Sequence, residues 1–235
     1  MRKFIRSITT LSIASIVAVS SVACNNNEIA YEPKPAYAGE KATLPAVPTI
    51  GKTPVKDGDA YTVWGASYYM RSRVHNRSVA NQDIEIVGYI VKTNLPDAPK
   101  CAVHRMGRED PEDCRPPIPT FWIGDTKDAP LNESIKVMGW ASNYAQIYDT
   151  IKELKRRARR RQKNKEPLTD ARWGVQIPDP LPVKGAKVRV GGQFSTTFTK
   201  ATSGAEADPI MGILTFDKIE YLEKADEVAS LPGMR

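Results

Sequence analysis

The clearest alternation of apolar positions in this chain lies between residues 83 and 93. Side chains alternate sides along an extended strand, so Ile84, Ile86, Gly88 and Ile90 share one face. The opposite face is also apolar in the second half of the segment, as expected where one strand serves two sides of a curled sheet. The glycine within the strand suits a sharp bend or a bulge.

Further β-prone runs are bounded by turn residues, and they predict strands at residues 60–70, 120–125, 134–141, 186–198 and 211–222. A helix is predicted after the fourth of the six strands, with Ser142 or Asn143 as its cap and its end near Lys163. Apolar residues recur there at helical spacing. They are Tyr144, Ile147, Tyr148, Ile151, Leu154 and Ala158.

The predicted order is one extra strand, three strands, a helix and two strands. This order is typical of the OB-fold, a five-stranded Greek-key barrel. We therefore predict a mainly β protein with a five-stranded OB-fold-like barrel, one helix between strands 3 and 4, and an extra N-terminal strand. The alternative is a small mixed β-sandwich with one helix.

The N-terminal residues have the pattern of a secretory signal peptide. Arg2, Lys3 and Arg6 precede an apolar run from about residue 8 to residue 22, and a small residue, Ala23, follows. The run is short for a permanent membrane-spanning helix, which needs about 20 apolar residues. We expect residues 1–23 to be removed on export.

The sequence Ser21-Val22-Ala23-Cys24 resembles the lipobox of bacterial lipoproteins, although that family usually has Leu where this chain has Ser21. The resemblance implies that Cys24 becomes the lipid-modified N-terminus, and Asn25 after it implies delivery to the outer membrane. The alternative is an ordinary signal peptide cut near Ala23, which leaves Cys24 free.

A second resemblance covers about residues 83–223. The segments VGYIVKTN, PTFWIGD, KVMGW and GILTFDKIEYLE, with the loop between Cys101 and Cys114, are similar to uncharacterised OB-fold lipoproteins of myxobacteria-like species. That family has no assigned activity, so the resemblance implies a fold and supplies no site residues.

Domain boundaries follow from composition. Residues 24–58 are polar and rich in proline, which predicts an extended, lipidated tether. Residues 59–225 are predicted to form the OB-fold-like domain, and residues 226–235 a C-terminal tail. The domain is long enough to bury one core.

The cysteines indicate an oxidising compartment. Cys101 and Cys114 lie in one proline-rich loop, and paired cysteines of exported proteins usually form disulfides. His104 lies between them, so a metal site is the alternative, but zinc sites usually have four ligands in close pairs. The acids of the same loop (Glu109, Asp110, Glu112 and Asp113) do not have the spacing of a known calcium loop.

The net formal charge is +7, and one segment dominates it. We call the nine cations between residues 152 and 165 the basic arm. They are Lys152, Lys155, Arg156, Arg157, Arg159, Arg160, Arg161, Lys163 and Lys165. Cations at the end of a helix suit its dipole, but nine exceed what capping requires and repel one another. The arm therefore predicts either contact with a polyanion or a protein partner, or a solvated helix face.

Three aromatic residues lie on neighbouring predicted strands: Tyr89, Trp122 and Trp140. OB-folds that bind single-stranded nucleic acid stack bases on such side chains beside cations. These rings therefore form a possible stacking face, and packing in the core or under the loops is the alternative.

No residue set predicts catalysis, a cofactor or a metal site. His75 and His104 lie in different segments, and neither has a partnered nucleophile or carboxylate motif. We expect a membrane-anchored periplasmic or surface module without catalytic activity, which contacts an anionic envelope component or a protein through the basic arm. The alternatives are a protein that binds single-stranded nucleic acid and, less favoured, an enzyme subunit completed by a partner.

Overall fold

The computed structural model describes residues 53–105, 110–160, 166–200, 205–225 and 228–234. Its strands are β1 (Lys56–Asp57), β2 (Ala60–Thr62), β3 (Gln82–Thr93), β4 (Phe121–Gly124), β5 (Ile135–Met138), β6 (Lys187–Ser195), β7 (Thr197–Phe198), β8 (Glu206–Ala207) and β9 (Ile213–Glu223). Its α-helices are α1 (Val63–Arg71) and α2 (Tyr144–Arg159), and 3-10 turns occur at Asn76–Ser78 and Leu131–Glu133.

Five strands close into a barrel in the order β3-β4-β5-β9-β6, and β6 returns to pair with β3. The β5–β9 pair is parallel and the other four pairs are antiparallel. This order is consistent with an OB-fold-like barrel, with α2 between the third and fourth barrel strands. The predicted fold class is confirmed.

The long strand β3 explains the two apolar faces seen in the sequence. Its first half pairs with β6 on one side and with the short parallel strand β2 on the other, and its second half pairs with β4. Ile86 and Ile90 are fully buried in the core, and Val87 and Val91 on the other face are also buried. For β3 to bend around the barrel, its regular hydrogen-bond pairing with β4 must be interrupted. The interruption is the register shift between Ile90 and Lys92.

The predicted bend at Gly191-Gly192 coincides with a register shift between β6 and β9. The two strands approach so closely that a Cβ atom on Gly192 would lie 2.0 Å from the carbonyl oxygen of Thr215. A side chain at this position would therefore force the strands apart.

The predicted strand at residues 60–70 is wrong beyond its first three residues. The extra strand β2 ends at Thr62, and α1 begins at Val63. The Thr62 side chain caps the helix by accepting a hydrogen bond from the Gly65 backbone N–H, 2.9 Å away. The buried residues of α1 (Val63, Gly65, Ala66, Ser67 and Met70) lie on the inner side of a helix. Tertiary packing thus overrides the β-propensity of the aromatic residues.

Helix α2 begins as predicted. Asn143 is its cap, and the side-chain oxygen accepts a hydrogen bond from the Gln146 backbone N–H at 2.9 Å. The helix ends at Arg159, before the predicted Lys163. Its last turn contains three arginines, and repulsion between like charges opposes extension of the helix.

One main core fills the barrel, and Trp140 is its largest fully buried side chain. Leu231, from the predicted C-terminal tail, is also buried there, with 2% of its surface exposed.

The segment that follows α2 is fixed to the start of that helix by Asp170. The buried Asp170 carboxylate accepts hydrogen bonds from the backbone N–H and hydroxyl of Ser142, both at 2.7 Å.

Candidate functional site

The basic arm begins on the second half of α2. The first half of the helix is buried through Ile147 and Ile151, whereas Leu154 is only half-buried and Ala158 is exposed. The helix therefore extends beyond the barrel surface over its last two turns. Arg161, Lys163 and Lys165 lie outside the described residues.

Glu153 partly neutralises the arm. Its carboxylate accepts hydrogen bonds from Nε of Arg156 at 2.6 Å and from Nε of Arg157 at 2.9 Å. These bonds lower the pKa of Glu153 to about 2. Arg157 also donates to the backbone carbonyl of Glu166, 2.6 Å away, and only 13% of its side chain is exposed. Arg157 therefore stabilises the end of α2 and is not available for contact with a ligand.

The remaining described cations of the arm face solvent. Lys152, Lys155, Arg159 and Arg160 are exposed, and the ammonium group of Lys152 lies 4.4 Å from the centre of the Tyr148 ring. The sequence predicted a cationic surface on all of these positions. The outward-facing part of the arm consists of these four cations and Arg156, whose side chain is 55% exposed although it pairs with Glu153.

The three residues of the possible stacking face differ in how deeply they are buried. Trp140 is fully buried and packs against Phe121, with ring centres 6.2 Å apart, so its core alternative is confirmed and the stacking role is wrong for this residue. Tyr89 and Trp122 are half-buried. Their rings lie on the outer side of the barrel, because the residues before and after each of them in the strand point into the core. Their rings remain candidates for contact with a ligand.

Lysines surround both outward rings, which the sequence analysis missed. Lys127 and Lys187 lie 5.5 and 5.6 Å from the centre of the Tyr89 ring, and Lys92 lies 5.7 Å from the centre of the Trp122 ring. The pairing of β3, β4 and β5 places Lys92, Trp122 and Lys136 in one row. We call this surface the barrel face. It consists of Tyr89, Trp122, Lys92, Lys127, Lys136 and Lys187.

Two acids beside the barrel face pair with its lysines. Lys92 lies 3.7 Å from Asp97, in the loop after β3, and Lys136 lies 3.6 Å from Glu206, in β8. The Lys92–Asp97 pair is exposed and the Lys136–Glu206 pair is half-buried, and ion pairs in contact with solvent contribute little to stability. An anionic ligand on this face would compete with two carboxylates that are weakly held.

The loop between β3 and β4 contains the disulfide between Cys101 and Cys114, whose Cα atoms are 5.9 Å apart. This confirms the predicted pairing. The loop is closed at its base by Asn94, whose side chain donates to the Ile118 carbonyl and accepts from the Thr120 backbone N–H, both at 2.8 Å.

The histidine of the same loop pairs with one of the loop's acids. His104 Nε2 lies 3.2 Å from Asp110 Oδ1, and Glu109 lies outside the described residues. Within the described ranges, no three His, Cys, Asp or Glu side chains come close enough together to hold a metal ion.

A second aromatic surface, also missed by the sequence analysis, lies on α1 and the turn after it. We call it the α1 surface. It consists of Trp64, Tyr68, Tyr69, Arg71, Arg73, Val74, His75 and Arg77. The rings of Trp64 and Tyr68 are stacked, with centres 4.8 Å apart, and 46% of Tyr68 is exposed. The helical spacing of Trp64 and Tyr68 was a signal for this surface, but the strand prediction concealed it.

Comparisons with known proteins add no family to this geometry. No protein-family model matches the chain, and a search of curated proteins finds no significant match. In the part of the chain that the structure describes, no helix combines the length and the hydropathy needed to cross a bilayer. The fold and the three surfaces are therefore the basis for any functional assignment.

Proposed function

We propose that this chain is a membrane-anchored binding module of the bacterial envelope, without catalytic activity, in which the basic arm contacts an anionic component or an acidic protein surface. The observation that carries the proposal is the group of exposed cations on the last two turns of α2 and directly after it, which includes Lys152, Arg159 and Arg160. Like charges held this close destabilise a helix, so an external anion would stabilise the arrangement.

Export and lipidation belong to the same proposal. Residues 1–23 would direct the chain out of the cytosol, and Cys24 would carry the lipid that holds the protein at the outer membrane, on its periplasmic or outer side. Both positions lie outside the described residues. The disulfide between Cys101 and Cys114 supports this compartment, because paired cysteines persist where the environment is oxidising. The resemblance to OB-fold lipoproteins supports it as well.

Crosslinking in the native cell, followed by recovery of the partner, tests the role of the arm. The arm variant carries Lys152→Gln, Arg159→Gln and Arg160→Gln, which leave the Glu153 pairs intact. A matched control removes three cations from the barrel face, through Lys92→Gln, Lys136→Gln and Lys187→Gln. We expect the arm variant to lose the partner and the control to retain it. Equal recovery by both proteins would remove the arm from the proposal.

The barrel face favours a second candidate function, binding of a single-stranded nucleic acid. Tyr89 and Trp122 are partly exposed, and four lysines surround them. Stacking of a base on an aromatic ring contributes about 1–3 kcal/mol, and contacts with phosphates make such binding dependent on salt.

Titration of a labelled single-stranded oligonucleotide tests the second function. Binding at low salt should weaken steeply as salt is added, and Trp122→Ala and the triple lysine variant of the barrel face should both reduce it. The arm variant serves as the charge-matched control. A protein that shows no binding even at low salt would end this candidate.

A further inference from the structure

The α1 surface carries a continuous row of aromatic rings. Tyr68 lies between Trp64, stacked at 4.8 Å, and Tyr69, at 6.1 Å between ring centres. Tyr69 in turn stacks on His75 at 4.4 Å. Tyr68 is exposed, and Trp64 and Tyr69 are half-buried beside it. Partly exposed aromatic clusters are typical of interaction sites, because contact between water and apolar surface is unfavourable.

The charge of the α1 surface has one sign. Between Ala60 and Gln82 the sequence contains three arginines and no acid. Arg71 donates to the backbone carbonyl of Ser67, and Arg73 and Arg77 are exposed, without an ion pair to any described carboxylate. The surface is therefore complementary to an anionic partner.

An apolar side chain stands at the tip of the same surface. Val74 is 80% exposed and lies in the turn between α1 and the 3-10 turn at Asn76–Ser78, next to the exposed Arg73. Single exposed apolar side chains are common on protein surfaces, and the position of Val74 beside Arg73 also suits insertion among lipid chains while the guanidinium contacts headgroups.

The arrangement of the rings distinguishes between anionic partners. A base stacks on the free face of a ring, but one face of Tyr68 is covered by Trp64 and one face of Tyr69 is covered by His75. Tyr69 is tilted by 48° to Tyr68 and leaves the second face of Tyr68 uncovered. Ring pairing therefore halves the surface that Tyr68 and Tyr69 offer for stacking, which favours a partner that does not depend on stacked bases. Trp and Tyr side chains are enriched at the headgroup level of bilayers, where an apolar body and a polar tip are both accommodated.

We propose that the α1 surface docks on an anionic lipid bilayer, with Trp64, Tyr68 and Val74 at the headgroup boundary and the arginines on lipid phosphates. The inference rests on the proposed membrane attachment for its setting, since the short strand β2 is the element between α1 and the predicted tether, which ends at residue 58. It assigns to the barrel a fixed orientation on the membrane, with the α1 surface toward the lipid.

Hydrogen exchange of the full chain in vesicles tests this docking. The protein is reconstituted into phosphatidylcholine vesicles with and without phosphatidylglycerol. We expect the amides of residues 63–78 to exchange more slowly on the anionic vesicles alone, and the difference to disappear at high salt. Co-flotation with the uncharged vesicles reports the N-terminal attachment separately, so failure of the anchor and failure of the docking are distinguishable.

Variants assign the effect to named residues. Each arginine near an anionic surface strengthens binding by roughly fivefold, so Arg73→Gln with Arg77→Gln should weaken docking by roughly 25-fold. Tyr68→Ala should also reduce the slowing of exchange. Lys184→Gln with Lys200→Gln, which removes two exposed cations outside the three surfaces, should leave it unchanged. Exchange in β3 verifies that each variant is folded. Equal slowing on both vesicle types, slowing that survives in the double arginine variant, or an equal loss in the double lysine variant would each overturn the proposal.

Discussion

Asp125 Oδ2 accepts a hydrogen bond from the backbone N–H of Trp64 at 2.9 Å, which joins the turn after β4 to the first turn of α1. The other carboxylate oxygen accepts from the Val63 backbone N–H at 2.8 Å. Burial raises the pKa of Asp125, and the bonds from Trp64 and Val63 counteract this shift. A residue far along the chain therefore fixes where α1, and the aromatic surface on it, sits on the barrel.

Replacement of this carboxylate should loosen α1. We expect Asp125→Ala to lower the free energy of unfolding by about 1–2 kcal/mol, because two helix N–H groups lose their acceptor. Urea denaturation measures the loss, and exchange at residues 63–71 should accelerate more than exchange in β6. The control is Asp128→Ala, an exposed carboxylate in the same turn. A similar loss in the control would contradict the role given to Asp125.

Acid should release the Glu153 pairs. The pKa of Glu153 is lowered to about 2 from the ordinary 4.5. The contribution of this group to stability is therefore complete above about pH 4.5 and is lost as the pH falls toward 2. We expect the carboxyl carbon resonance of Glu153 to titrate well below pH 4.5. Because Glu153 lies on the solvent-facing part of the helix, next to the exposed Arg156, the effect should be confined to fraying of the end of α2.

The comparison variant for this titration is Glu153→Gln, in which the end of α2 should fray equally at neutral and acidic pH. A Glu153 midpoint near 4.5 in the wild-type protein would show that the arginines do not hold the carboxylate in solution.

The two tryptophans of the predicted stacking face should respond differently to truncation. Trp140→Ala should lower the free energy of unfolding by about 3–5 kcal/mol, since it removes the largest fully buried side chain. Trp122→Ala should lower it by about 1 kcal/mol or less, because the ring lies on the outer side of the barrel. Denaturant titration of both variants makes the comparison. Similar losses would mean that Trp122 is a core residue and the barrel face is not a binding surface.

The disulfide should stabilise the loop that precedes β4. Replacement of Cys101 and Cys114 by serine removes a cross-link between residues 13 positions apart, and the chain-entropy model gives a loss of about 3 kcal/mol. Thermal unfolding with and without reductant measures it. Reductant should lower the melting temperature of the wild-type protein and leave that of the double variant unchanged. A wild-type protein insensitive to reductant would contradict the prediction.

The barrel was predictable from sequence because its strands carry strong local signals. Ile84, Ile86 and Ile90 alternate with outward residues, the helix begins at a good cap, and the order of elements restricts the topology. The return of β6 to β3, which closes the barrel, has no local signal of its own and was inferred from that order.

The candidate surfaces were harder to predict, for physical reasons. Trp64 and Tyr68 suit a strand by propensity, and the preference for helix comes from remote groups such as Asp125. The pairing of Glu153 with Arg157 depends on side-chain rotamers, and the lysines near Tyr89 come from three separate segments. Burial of Trp140 depends on the curvature of the closed barrel, which alternation along one strand does not define.

The pairing of β3 with β6 also constrains the order in which the protein assembles. The two strands are about a hundred residues apart along the chain, as Gln82 pairs with Phe194 and Tyr89 with Lys187. Contacts between such distant residues slow folding, because a large loop must be closed before they form. Until residues 187–195 are available, one edge of β3 stays without its final neighbour. In a chain that is still emerging from the ribosome, the barrel therefore stays open until late in synthesis. A polypeptide that has not yet closed its fold can still be threaded through a narrow channel.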